Sequence, residues 1–143
     1  SWVYGLEPEE WEHEMLRKIR SICDLPVVYR PKHHRVNSRA TIDMAEGFSD
    51  PEKTTIQQAL VGAKAIVTHH SNVAIDALLM GIPAYAEMGI AKRLSFDLSS
   101  IENPKFPDTE GISKVVRAAS YSQWNLDELR DGTAWKFIKE NLL

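Results

Sequence analysis

The clearest pattern of apolar and polar positions lies between Ala63 and Tyr85, AKAIVTHHSNVAIDALLMGIPAY. Ala65-Ile66-Val67 is a short apolar run of the kind that fills a parallel strand covered on both faces. Thr68-His69-His70-Ser71 then places polar groups where that strand should end. Ser71 suits the cap of a helix over Val73 to Met80, where every residue but Asp76 is apolar, so the helix is expected to be buried on most sides. Gly81 ends it, and Pro83 fits the start of a second strand, where no ladder donor is required. The segment predicts a strand–helix–strand unit whose polar seam lies at one edge. Open parallel sheets bind ligands at that edge, and free N–H groups of Asn72, Val73 and Ala74 would make it a site for phosphate or another anion.

The flanking patterns extend this picture. Glu7-Pro8-Glu9-Glu10 opens a helix, with Trp11, Met15, Leu16, Ile19 and Ile22 forming an apolar stripe. Asp24-Leu25-Pro26 is a turn, and Val27-Val28-Tyr29 a strand that runs into the basic cluster Arg30-Pro31-Lys32-His33-His34-Arg35. Asn37 to Gly47 is weakly patterned, with a strand or a single helical turn at Ala40 to Ala45. Ser49-Asp50-Pro51-Glu52 reads as the start of a helix through Ile56, Ala59 and Leu60, closed by Gly62. Met88 to Arg93 is a loop or short helix carrying Lys92 and Arg93, Ser95 to Ile101 is ambiguous, and Asn103 to Asp108 is extended loop. Helices follow at Ile112 to Ser120, after the capping-box pattern Asn125-Leu126-Asp127-Glu128, and at Thr133 to Leu142, where Trp135, Phe137 and Ile138 are available for packing. Helices alternating with short buried strands predict an α/β fold, a Rossmann-like three-layer sandwich with a mostly parallel sheet.

Composition narrows the class. At 143 residues the chain has the size of one domain, and its net charge of −3 argues against a dedicated nucleic-acid binder. The single cysteine, Cys23, allows no internal disulfide and reads as a core residue at the end of the first helix, in keeping with a reducing, cytoplasmic compartment. No stretch is long enough to span a membrane, and there is no signal-peptide pattern. Opening on Trp2-Val3-Tyr4-Gly5, the sequence reads as a piece of a longer protein. Oligomeric state is left open by the sequence.

Some chemistries fail on spacing. His13-Glu14 has no second histidine at the interval of a zinc-protease helix. One imidazole from His33-His34 and one from His69-His70 could converge on a metal, but no acidic or cysteine ligand is spaced to complete the set, so no metal site is expected. Ser71 lacks the Gly-x-Ser-x-Gly elbow of a serine nucleophile.

The order Ser71, four residues, Asp76-Ala77-Leu78, then Gly81-x-Pro83 resembles the carboxyl-terminal, donor-binding half of GT-B glycosyltransferases. It is most like capsule-type Kdo transferases and a group of phage and bacterial proteins of the same layout. Arg30-Pro31-Lys32-His33 resembles the basic motif after an earlier strand in Kdo and bacterial sialyltransferase relatives. Ile101-Glu102-Asn103-Pro104, Gln123-Trp124 and Gly132-x-Ala134-Trp135 look like the tail of the phage-type proteins. Asp76 stands where glutamate is usual, and His34 where proline is usual.

The resemblance implies half of a GT-B fold that binds a nucleotide-sugar donor and needs no other cofactor. Ser71, with the Asn72 and Val73 amides, would receive the phosphates; Asp76 would hold the ribose; Arg30, Lys32 and His33 would line the phosphate side. The acceptor site and catalytic base would belong to a missing amino-terminal domain, so no catalytic residue is assigned and the chain alone is expected to be inactive. Plainer roles stay open: Ser71 as a cap, Asp76 in a structural pair, Arg30 and Lys32 as solvated charge. A GT-B-fold sugar-nucleotide epimerase would use the same pocket. A non-catalytic partner-binding module would instead show an apolar patch, with Trp2, Tyr4, Trp124 and Trp135 as its candidates.

Overall fold

The computed structural model describes residues 9–32, 43–121 and 124–141. His33, Trp2 and Tyr4 lie outside the described residues, as do the paired histidine His34 and most of the segment before Gly47. The chain divides into two compact units, Ser1–Pro107 and Asp108–Leu143.

The first unit begins with α1 (Glu10–Ile22), which has Glu10 and Glu12 in its first turn and Arg20 in its last, each suited to the nearer end of the helix dipole. Its stripe buries Met15, Leu16 and Ile19, whereas Ile22, at the end of the stripe, is exposed. Cys23 follows as a buried core residue, as its position predicts. The chain then enters β1 (Val28–Tyr29), which pairs in parallel with β2 (Gly47–Phe48). Glu46 ties this entry together, since it accepts from the Val27 amide at 2.8 Å and forms an ion pair with Arg20 of α1. Gly47 lies close opposite Val28: a Cβ there would stand 3.0 Å from Val28 Cγ2, so the valine side chain would have to give by a few tenths of an ångström.

The next helix starts later than Pro51 suggests. Asp50 holds a turn instead, its carboxylate accepting from the Glu52 amide and its carbonyl from the Thr54 amide. Thr55 then caps α2 (Ile56–Leu60) through a reciprocal box with Gln58, which satisfies the Thr55 and Gln58 amides.

The strand–helix–strand unit is present. β3 (Ile66–Thr68) and β4 (Ala84–Ala86) are parallel, with Ile66 opposite Ala84, Val67 opposite Tyr85 and Thr68 opposite Ala86, and α3 (Val73–Leu79) crosses between them. Ala74, Ala77 and Leu78 bury one face of α3, but Leu79 and Met80 are exposed, so the helix is amphipathic rather than enclosed. Beyond a 3₁₀ segment at Ile90–Leu94, the chain returns along the outer edge of β4. There Ser95 Oγ accepts from the Ala86 amide at 2.7 Å and donates to the Ala86 carbonyl at 3.0 Å, and the Phe96 amide donates to Ala84. A second 3₁₀ turn, Leu98–Ser100, is capped by Asp97.

These pieces share one core. Met15, Ile19, Cys23, Phe96, Leu98 and Ile101 form its centre, with Val27 before β1 and Ala65, Val67 and Tyr85 of the second ladder packed against it. The protein is α/β, with six α-helices and two parallel ladders of two strands each among the described residues. One continuous sheet was the expectation. Among the described residues the strands are only two or three residues long, their ends marked by the polar and proline residues that follow Tyr29 and Thr68, and the two ladders are not joined into one sheet.

The second unit holds α4 (Thr109–Tyr121), α5 (Leu126–Arg130) and α6 (Thr133–Asn141). Asn125 and Glu128 form the expected capping box of α5. Ala134 is buried and Phe137 meets Trp124 with ring centroids 5.2 Å apart, while Trp135 is exposed rather than packed. No helix among the described residues is long and apolar enough to cross a membrane.

Candidate functional site

The carboxyl ends of β3 and β4 emerge side by side. The ladder runs on past its last paired residues, with the Glu87 amide donating to Thr68 and the Met88 amide to His69. This draws Thr68, His69 and His70 from one strand next to Glu87 from the other. Gly89, at φ +83°, turns the chain back beside the His70 backbone, a conformation that only glycine adopts easily.

Trp11 of α1 closes over this edge. Its indole N–H donates to Glu87 Oε2 at 2.6 Å, and its ring stands edge-on to His69 with centroids 5.3 Å apart. His69 and His70 are joined Nδ1 to Nδ1 at 2.7 Å, their rings nearly perpendicular. Such a contact needs a proton on one Nδ1 and a lone pair on the other, so the two imidazoles cannot both be fully protonated without parting. Neither Trp11 nor Glu87 was singled out by the sequence. They meet across 76 residues, and no local pattern announces a contact of that kind.

The sequence-derived residues fall in different places around the edge. Ser71 caps α3 in practice: its hydroxyl accepts from the Val73 amide at 3.3 Å and its carbonyl from Ala74 at 3.2 Å. Asn72, the formal cap, makes no side-chain cap bond and is exposed. Two of the three amides expected to face a ligand, those of Val73 and Ala74, are therefore already bonded to Ser71. Asp76 sits half-buried in the first turn of α3.

Arg30 points elsewhere. Its guanidinium donates to Ser49 Oγ and Thr54 Oγ1, both at 2.8 Å, and to the Thr54 carbonyl at 2.7 Å, which fastens the end of β1 to the turn before α2. Lys32 is exposed and its charge reaches His70. Burial first, then Lys32 and His69, hold the His70 pKa below its ordinary value of 6.5. Among the described residues, no three His, Cys, Asp or Glu side chains gather as a metal-ligand set.

The direction of the His70 shift sets a pH dependence. Between 6.5 and its lower folded value, the unfolded chain takes up a proton that the folded chain refuses. Stability therefore falls as pH drops through that window and is level above it. The three carboxylates held below 3.8 by backbone hydrogen bonds, Asp50, Asp97 and Asp131, act at lower pH and leave the window clear. Urea midpoints measured from about pH 7.5 to about pH 5.5 should decline, and His70→Asn should flatten the decline. An equally steep decline in the variant would remove His70 as its source.

The chain matches no family model, no curated protein and no solved structure.

Proposed function

We propose that the chain is a donor-binding module of GT-B glycosyltransferase type, receiving a nucleotide sugar at the carboxyl edge of β3 and β4. The observation that carries this reading is the parallel crossover β3–α3–β4, which delivers Thr68, His69, His70 and Ser71 to one edge while Lys32 brings positive charge toward the same place. In this reading the two ladders belong to one Rossmann-like sheet, in line with the core that Val27, Ala65 and Val67 share. Diphosphate would lie at the start of α3, exchanging the Ser71-to-Val73 bond for bonds of the Ser71 hydroxyl and the Asn72 and Val73 amides to its oxygens. Asp76 takes the ribose, and Lys32 and His33 supply positive charge on the phosphate side. Arg30 contributes by holding the end of β1 in place through Ser49 and Thr54. Developing charge on the leaving nucleotide would be stabilised by these donors, with acceptor and catalytic base supplied by another domain.

Calorimetric titration with CMP, CDP, UDP, GDP and ADP tests the reading. One nucleotide should bind with saturable heat, and Ser71→Ala or Asp76→Ala should weaken it at least tenfold, the loss of one or two hydrogen bonds to a charged ligand. Silence across the series from folded protein would defeat the donor reading. It would favour the partner-binding alternative, for which exposed Leu126, Leu129 and Trp135 of the second unit are the candidate surface.

A further inference from the structure

The first unit contains a cleft of about 100 Å³ between α1 and β4, lined by Trp11, Glu14, Met15, Lys18, Tyr85 and Glu87. The strand-edge reading of the nucleotide site makes no use of it. We infer that this cleft binds a small organic cation of the alkylammonium class, with the rings of Trp11 and Tyr85 as its walls and the carboxylates of Glu14 and Glu87 as its counter-charge.

The chemistry of the lining points to that ligand. Aromatic faces carry negative quadrupole density and attract weakly hydrated cations, most of all over tryptophan and tyrosine. Two carboxylates in the lining outweigh the one ammonium of Lys18, whose charge is also felt by Asp97 nearby. Burial first, and then the Glu87 and Asp97 carboxylates, push the Tyr85 phenol above its ordinary value of 10.0, so its ring stays a neutral wall.

The walls are also held ready. Glu87 fixes the Trp11 indole through the 2.6 Å hydrogen bond, His69 abuts the same ring, and Tyr85 leans on Phe96 with centroids 6.2 Å apart. Rings set in advance lose little freedom when a ligand arrives. A metal ion suits the place less well, because no chelating set of three gathers among the described residues and hard cations prefer oxygen ligands to aromatic faces. The volume admits a group of a few heavy atoms, such as a trimethylammonium head.

The experiment titrates the whole chain with choline chloride, and separately with its uncharged carbon isostere 3,3-dimethylbutan-1-ol, at constant ionic strength. Amide NMR shifts report occupancy. Choline should saturate in the millimolar range, and the isostere should bind at least about tenfold more weakly. Glu87→Gln keeps an acceptor for the Trp11 indole but removes the charge, and should weaken choline about tenfold. Tyr85→Phe keeps the aromatic wall and should bind within about twofold of the parent. Linear, unsaturated shifts with choline would overturn the inference. So would equal binding of the isostere, or an unchanged affinity in folded Glu87→Gln. Because no nucleotide enters the measurement, its result and that of the nucleotide titration stand apart.

Discussion

Replacing Phe96 by alanine should destabilise the protein by about 3–5 kcal/mol, the usual cost of removing a buried phenyl ring. Phe96 is only 6% exposed and lies at the centre of the core that α1, β4 and the segment through Ile101 share. Its ring rests on Tyr85, and its amide is bonded to Ala84, so the backbone around it is pinned and has little scope to collapse into the void. A loss that large takes up much of the stability of an ordinary domain. The urea midpoint should fall accordingly with little change in the slope of the transition. A loss below about 1 kcal/mol would mean that the ring is not packed as described.

Arg30→Ala should have the second largest effect, about 1.5–3 kcal/mol, because hydrogen bonds from a charged donor to three acceptors are removed together. The substitution also separates two roles for the same side chain. As a brace, Arg30 is needed for stability whether or not ligand is present, and Arg30→Lys, which cannot reproduce the fork that spans Ser49 and Thr54, should recover less than half of the loss. As a direct phosphate ligand, Arg30→Lys would keep the stability and lose affinity alone. Paired denaturation and calorimetry on both variants decide the matter. Full stability in Arg30→Ala would refute the brace.

The parts of the fold that were legible in the sequence are those in which one short segment carries the whole signal. The unit from Ala65 to Tyr85 declares itself because apolar runs, Ser71, Gly81 and Pro83 each mark a boundary within a few residues. The stripe of α1 and the box at Asn125 and Glu128 are equally local. β2 was not legible: it is two residues long and begins with Gly47, a residue type that weakens strands and so hides its pairing with Val28 from any local pattern. The start at Thr55 carried a readable signal in the Thr-x-x-Gln spacing, but Asp50-Pro51 offered a competing one and the structure uses it for a turn.

The site divides in the same way. The capping role of Ser71 was visible because a small polar residue stands just before an apolar helix, and Asp76 stood out as the one polar residue within that helix. The partners of Arg30 were not, since a guanidinium after a strand looks alike whether it meets a ligand or a neighbouring turn. Trp11 read as one more member of an apolar stripe, and only tertiary contact reveals that its polar edge is anchored to Glu87.

The hydroxyl of Ser95 has a consequence for how this protein meets other chains. It engages both backbone groups of Ala86, and the Phe96 amide takes the Ala84 carbonyl, so three backbone groups on the outer side of β4 are already bonded within the chain. A stray extended peptide, or a neighbour's strand, finds those groups taken. One side chain thus helps guard this margin against fibril-like growth.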